Sequence, residues 1–203
     1  MREYIDNSLT YSQYLSLIDR LLSEDKTTGP DQSKNRVEYG RLNRSRVKRI
    51  EKTLVLEEDV RSKIAALDVD WVWLIITEGW CGDAAQNIPV IEKIASANAG
   101  IETRYILRDD NPGLMEQFLT NGARSIPKLI AIDRRSGVVL GTWGSRPKAA
   151  QVLHDEQKAA GLDKPLIAEN IQRWYLADKG ISLQREFADL AREWSEKVSA
   201  FAA

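Results

Sequence analysis

The stretch that most constrains the fold runs from Trp71 to Pro89, where an apolar segment passes through a short polar turn into a helix-like segment. The continuous apolar run from Trp71 to Ile76 is typical of a central strand that is covered on both faces. Cys81, the only cysteine of the chain, follows where strand gives way to helix. We therefore predict a buried strand followed by a helix whose N-terminus carries Cys81.

Cys81 is a candidate catalytic residue because of this position. The thiolate is the reactive form of cysteine, and the amide dipoles of a helix N-terminus lower the pKa of a thiol. A chain with a single cysteine has no intrachain disulfide and no multi-cysteine metal site, and one histidine, His154, leaves little for a histidine site. We therefore predict no metal and no bound cofactor.

Length, charge and hydropathy limit the class of protein. With 203 residues, 43% of them hydrophobic, the chain is long enough for one good core but not clearly for two domains. A net charge of -1 argues against non-specific binding of nucleic acid. The segment Met1–Thr10 has no apolar signal core, and no apolar run approaches the ~18 residues that span a membrane. We expect a cytoplasmic protein with no nucleic-acid or membrane partner.

Helical periodicity precedes the central strand, and helical and extended patterns alternate after it. Before the strand at residues 68–77, helices are predicted over residues 11–24, 34–52 and 57–67. After it come a helix, a strand, a short helix, a two-stranded hairpin and three helices, over residues 83–98, 101–107, 111–121, 128–133, 138–143, 147–160, 165–178 and 182–201. The pattern predicts an α/β fold with about four to five strands and added helices at both ends.

The basic segment Arg41–Arg49 lies within the second of these helices. A charge run of this kind usually forms a solvated helix face. The alternative is that some of its arginines face Cys81 or an anionic ligand, and the sequence leaves both interpretations open. Glu78, just before the motif, is interpreted as a solvated loop charge.

Three local features in register resemble the thioredoxin superfamily. The motif Trp80-Cys81-Gly82-Asp83-Ala84 follows a buried strand and opens a helix, like the family's W-C-G-P-C. Pro89 stands where the family has a proline that kinks this helix. Ser125-Ile126-Pro127 leads directly into a strand, where the family places a cis-proline that faces the active cysteine.

The resemblance covers residues 68–160 and implies a thioredoxin-like fold with a mixed central sheet. On this division, residues 1–67 form an N-terminal helical extension packed on the core and residues 161–203 form a C-terminal helical extension, all in one structural domain. The motif, the segment Trp143–Pro147 and the elongated N-terminus are similar to a bacterial thioredoxin-like branch.

Two residues of the motif depart from the family pattern. Ala84 replaces the second cysteine, so a mixed disulfide could not be resolved within the chain, and ordinary thioredoxin turnover is not implied. Asp83 stands where proline is usual. Its carboxylate suits the first turn of a helix but should raise the pKa of the neighbouring Cys81 thiol. Helix capping and proton relay are both open as roles for Asp83.

Three further residues complete the candidate site that the resemblance implies. If Pro127 is cis and not a plain loop proline, it leaves the Ile126 amide and carbonyl free to pair with an extended partner beside Cys81. Trp80 is either a contact surface or packed under the loop. Arg146 either binds an anion or supports the active loop, or it is an ordinary surface arginine.

Two classes of function follow from these residues. In the first, Cys81 acts alone in thiol–disulfide exchange, as an oxidoreductase that lacks its resolving cysteine. Its partner is then a protein or a low-molecular-weight disulfide, and glutathione or another external thiol closes the cycle. In the second, the chain is a non-catalytic binding module that uses the groove at Pro127. The first is the leading hypothesis, because Cys81 is retained at the reactive position in a chain without other cysteines.

Overall fold

The core of the fold is a mixed sheet of four strands in the order β2-β1-β3-β4. The computed structural model describes residues 1–202, with side chains through residue 197, and these statements concern that part of the chain. The strands are β1 (Trp71–Thr77), β2 (Ile101–Leu107), β3 (Lys128–Asp133) and β4 (Val139–Gly144). β1 pairs in parallel with β2 and antiparallel with β3, and β3 pairs antiparallel with β4. The predicted mixed sheet with extra helices is confirmed.

Helices precede, connect and follow the strands. They are α1 (Arg2–Asp6), α2 (Tyr11–Ser23), α3 (Lys34–Thr53), α4 (Glu58–Ala65), α5 (Gly82–Ala95), α6 (Pro112–Gln117), α7 (Lys148–Ala159), α8 (Lys164–Asp178) and α9 (Ile181–Ala202). The short α1 was not predicted from the sequence. The other helices lie where predicted to within a few residues, apart from α6.

α6 ends earlier than predicted because a tight turn follows it. The helix predicted over residues 111–121 stops at Gln117, and Phe118 already has non-helical backbone angles. Asn121 and Gly122 both adopt positive φ, and the backbones of Thr120 and Ala123 pair across them. An Asn-Gly pair favours this kind of two-residue turn over a helical one.

β1 lies at the centre of the core, and every one of its side chains is buried. Trp71 and Trp73 project onto α9, where the ring of Trp73 lies 5.2 Å from that of Phe187 and 6.1 Å from that of Trp194, both edge-on. Each large aromatic side chain buries a large apolar area and therefore contributes strongly to the stability of a core. This cluster fixes the C-terminal helix against the sheet.

The N-terminal helices pack on the same core. Thr10 caps α2 through a capping box with Gln13. The backbone of Leu9 pairs with that of Tyr105 in β2. Arg44 of α3 donates two hydrogen bonds to Asp19 of α2, at 2.7 and 3.0 Å, and thereby joins the two helices.

α5 carries Pro89 in its interior, at the predicted position. A proline there has no amide hydrogen to donate to the carbonyl of Ala85.

Among the described helices, none is long and apolar enough to cross a membrane.

Candidate functional site

Cys81 follows β1 after a three-residue turn and is the N-cap residue of α5. Its sulfur accepts a hydrogen bond from the Ala84 amide at 3.5 Å. Its thiol donates a hydrogen bond to the carbonyl oxygen of Ile126 at 3.3 Å. Only 8% of the residue is exposed. The sulfur is therefore enclosed between the start of α5 and the loop before β3.

The pKa of the Cys81 thiol is raised to about 12. Burial is the largest cause, because it disfavours the charged thiolate, and the negative charge of Asp83 adds to it. The pKa is lowered by the amides of Ala84 and Asp83 and by the positive charge of Arg146, but these effects do not offset the effect of burial. The prediction of a lowered pKa is wrong because the sulfur is removed from water. The predicted effect of Asp83 has the right direction.

The loop before β3 closes over the sulfur. The Ile126–Pro127 peptide bond is cis, and Ile126 is buried. The expectation that the Ile126 carbonyl is free is wrong, because its oxygen accepts a hydrogen bond from the Cys81 thiol. The Ile126 amide, by contrast, donates to no acceptor among the described residues. Gly144 of β4 packs closely here, since a Cβ on it would lie 2.2 Å from the Pro127 carbonyl oxygen.

Asp83 connects the motif with two later parts of the chain. Its Oδ2 atom pairs with Arg146 Nη2 at 2.8 Å, and its Oδ1 atom accepts a hydrogen bond from the Tyr175 hydroxyl at 3.0 Å. Asn87 donates to the Asp83 carbonyl and to the Tyr175 hydroxyl. Burial raises the pKa of the Asp83 carboxyl, while Arg146 and Tyr175 oppose that shift. The helix-capping role belongs to Cys81, and Asp83 instead joins α5 to α8.

Arg146 is held next to the motif by two side-chain contacts. It pairs with Asp83 and donates to Gln151 at 3.2 Å. Its side chain is mostly buried, so it is not an ordinary surface arginine. The sequence did not indicate Tyr175 as a neighbour of Asp83 and Asn87, since both of its contacts depend on how α8 packs.

Trp80 is half-buried, with two guanidinium groups over its ring. The Cζ atom of Arg36, on α3, lies 3.9 Å from a ring centroid of Trp80, and that of Arg108, after β2, lies 4.8 Å away. Such cation–π contacts hold an aromatic ring in place. Trp80 is thus fixed between the N-terminal extension and the sheet, rather than presented as a free contact surface.

An open cleft of about 640 Å³ lies over Cys81, between α3 and α8. We call it the Cys81 cleft. The motif residues Trp80, Cys81, Gly82 and Asp83 and the side chain of Arg146 line it. The facing helices contribute Arg36, Tyr39 and Arg46 from α3 and Ala168, Glu169 and Gln172 from α8. Ala84 is buried below this surface.

Arg46 is the residue of the basic segment Arg41–Arg49 that lines this cleft. Its guanidinium donates to Asn43 Oδ1 at 2.8 Å and pairs with no carboxylate among the described residues. Arg41 and Arg44 instead pair with aspartates of the preceding loop and of α2. Part of the segment therefore forms ion pairs away from the site, and one arginine, Arg46, faces the site.

Glu78 was missed by the sequence interpretation. It is fully buried and not a solvated loop charge. Its Oε1 atom accepts the Asp109 amide at 3.0 Å, while its Oε2 atom has no hydrogen-bond partner among the described residues. Burial raises the pKa of its carboxyl. Its position directly after a fully buried strand is the only sequence signal that could have indicated this burial.

A metal site is not formed by the described residues. No group of three or more His, Cys, Asp or Glu side chains among them is placed to hold an ion. The Cys81 cleft instead contains a neutral thiol and the Arg46 guanidinium, which has no carboxylate partner in the described part of the chain, while the unbonded Ile126 amide lies outside the cleft lining.

Comparisons with known proteins agree with this architecture. A thioredoxin family model matches residues 29–158. The crystal structure of an HIV epitope-scaffold superposes with a TM-score of 0.65 and 14% identity, covering 94% of this chain and 96% of that chain. A crystal structure of a protein of unknown function from Pseudomonas aeruginosa gives 0.51 and 15% identity, covering 88% and 99%. At these identities the structures show a shared fold. No curated protein matches the chain.

Proposed function

Because this chain belongs to the thioredoxin family, we propose that it uses the family's cysteine position as part of a binding site, without thiol–disulfide turnover. The hydrogen bond from the Cys81 thiol to the Ile126 carbonyl carries this proposal. A thiolate cannot donate that bond. Ionisation of Cys81 would therefore lose the hydrogen bond and would also leave a charge in a buried site where water cannot solvate it. The reactive form of Cys81 is therefore disfavoured at neutral pH.

The absence of a second thiol supports the same conclusion. A mixed disulfide on Cys81 could be released only by a thiol from outside the chain, since Ala84 stands at the second cysteine position. The chain therefore lacks both requirements of the reductase cycle, a readily ionised first thiol and a second thiol that resolves the mixed disulfide. Binding is the activity that remains for this surface.

The ligand we propose is an extended acidic peptide segment of a partner protein. Arg46 forms no ion pair with a carboxylate among the described residues, so an acidic side chain of the bound peptide would supply one. Ile126 is buried and does not line the cleft, but its amide has no acceptor among the described residues, and a peptide that extends from the cleft past Cys81 would pair with it as in strand addition. The volume of about 640 Å³ lies in the ordinary range for ligand sites.

A capped hexaglutamate peptide tests this assignment. We expect saturable binding to the wild type and to Cys81→Ser, and roughly tenfold weaker binding to Arg46→Gln, the factor that about 1.4 kcal/mol represents. Lys48→Gln is the matched control, because it removes one charge from the exposed face of the same helix. An equal loss of hexaglutamate affinity in Arg46→Gln and in Lys48→Gln would contradict a specific site at Arg46.

Monothiol exchange is the second candidate, because Cys81 lines the cleft and the Ala84 amide donates a hydrogen bond to its sulfur. In this reaction the Cys81 thiolate attacks a mixed disulfide between a partner protein and glutathione, the S–S bond breaks, and the partner's thiolate leaves. A second glutathione thiolate would then attack the Cys81–glutathione disulfide, which releases oxidised glutathione and restores the Cys81 thiolate. A rapidly formed and reversible glutathione adduct on native Cys81, detected by mass spectrometry, would favour this function over the binding module.

A further inference from the structure

A second groove lies behind the Cys81 cleft, between the end of α3, the middle of α5 and the turn that joins α8 to α9. We call it the α8–α9 groove. It encloses about 430 Å³, within the range of small-molecule sites. A hydrogen bond of 2.8 Å between Gln86 and Gln172 separates the two, since Gln86 lines the groove and Gln172 lines the cleft. The two sites are therefore distinct.

Apolar side chains cover this groove from its floor to its rim. Val90 and Leu183 form a buried floor, and Leu54 lies beside them. At the rim, Val55 is 76% exposed and Leu176 is 57% exposed. Apolar surface of this kind gains about 25 cal/mol for each Å² that a ligand removes from water. The groove therefore favours a ligand with an apolar chain.

The charged groups at the groove favour an anion. Arg49 and Lys179 both line it, and neither pairs with a carboxylate among the described residues. Asp178 also lines the groove, where its carboxylate accepts hydrogen bonds from the amide and the hydroxyl of Ser182, so the lining carries two cations and one anion. The positive charge of Arg49 also acts on Arg46, whose pKa it helps to lower after burial. The lining residues therefore give the groove a net positive charge.

We propose that the α8–α9 groove binds an anionic amphiphile of the fatty-acid class, with its chain on the apolar floor and its carboxylate at Arg49 and Lys179. This site is independent of the binding function proposed for the Cys81 cleft. An apolar floor with two unpaired cations at its edge matches a molecule with one apolar and one anionic end.

Titration calorimetry with decanoate, kept below its micelle threshold, tests the site on the full-length protein. We expect one saturable site. Decanol and decylammonium have the same chain without the negative charge, and we expect each to bind at least roughly tenfold more weakly, the factor that about 1.4 kcal/mol represents. Decanol that binds as tightly as decanoate would overturn the assignment of an anion.

Variants separate the groove from the rest of the surface. Leu176→Glu should abolish decanoate binding by placing a like charge in the groove, and Arg49→Ala should weaken it roughly tenfold by removing one ion pair. Val55→Glu is the second groove variant, in case Leu176→Glu disturbs folding, which circular dichroism would reveal. Leu166→Glu is the matched control, an exposed leucine on α8 outside the groove lining.

Two other outcomes would overturn the proposal. One is a loss of decanoate binding in Leu166→Glu equal to that in Leu176→Glu. The other is self-association of the wild type, seen by sedimentation, that Leu176→Glu removes and decanoate does not affect. The groove would then be the interface with a second copy of the chain.

Discussion

Asp83 and Arg146 form an ion pair of 2.8 Å in which both side chains are largely buried. The pair joins the first turn of α5 to the segment after β4, next to Cys81. A buried carboxylate without its partner is strongly unfavourable. The ion pair therefore holds the site together and also sets part of the electrostatic environment of the thiol.

Arg146→Ala should lower the free energy of unfolding by about 3 kcal/mol, because it leaves the buried Asp83 carboxylate uncompensated. Urea unfolding followed by circular dichroism measures this change. Arg135→Ala is the control, since Arg135 is highly exposed and its contact with Asp70 is 3.7 Å long. Equal small changes in both variants would mean that the Asp83–Arg146 pair contributes little.

Asp83→Asn should lower the pKa of the Cys81 thiol, since it removes the negative charge that helps to raise it. The shift should be partial, because burial is the larger cause and persists in the variant. The pH dependence of alkylation, compared between this variant and the wild type, reports the change. An unchanged or higher pKa would show that the carboxylate does not act on the sulfur.

Glu78→Gln should change how stability depends on pH. The folded state raises the pKa of Glu78 above its ordinary 4.5, so Glu78 favours folding below that value and loses this contribution as the pH rises. The wild type should therefore lose stability relative to Glu78→Gln from about pH 4.5 upward. Melting temperatures of both proteins across this pH range test the sign, and parallel curves would contradict it.

Gly144→Ala should be among the most destabilising single substitutions, costing at least about 3 kcal/mol. Gly144 has a φ of +133°, and an added Cβ would lie 2.2 Å from the Pro127 carbonyl oxygen. Gly161→Ala is a matched control with a φ of +77° and no atom within 4 Å of the added Cβ, so only the backbone preference is lost there. Similar melting temperatures for the two variants would exclude the close contact as the cause.

The sequence predicted the sheet and the strand-to-helix junction that carries Cys81 because these depend on local patterns. The continuous apolar run of β1 and the strand-to-helix junction at Cys81 are visible within a few residues. The environment of the thiol was not predictable in this way. It depends on Ile126, 45 positions later, and on Tyr175, 92 positions after Asp83. Local dipoles predicted a lowered pKa, while burial by these distant segments raises it.

Glu78 illustrates the same limit on a smaller scale. A glutamate followed by a glycine after a strand is most often solvated. Here the loops that carry Thr28 and Asp109 cover it, and the Asp109 amide donates to its carboxylate. Only the packing of those loops decides that this charge is buried.

The pH dependence of iodoacetamide alkylation at native Cys81 tests the central claim most directly. The pH profile decides the question, because burial alone can slow the reaction without moving its midpoint. Protein unfolded in urea is the control and should show a midpoint near the ~8.5 of a free cysteine. With a thiol pKa of about 12, the native rate should rise throughout the range in which the protein stays folded, without a plateau. A native midpoint at or below ~8.5 would contradict the neutral-thiol binding site and favour monothiol exchange.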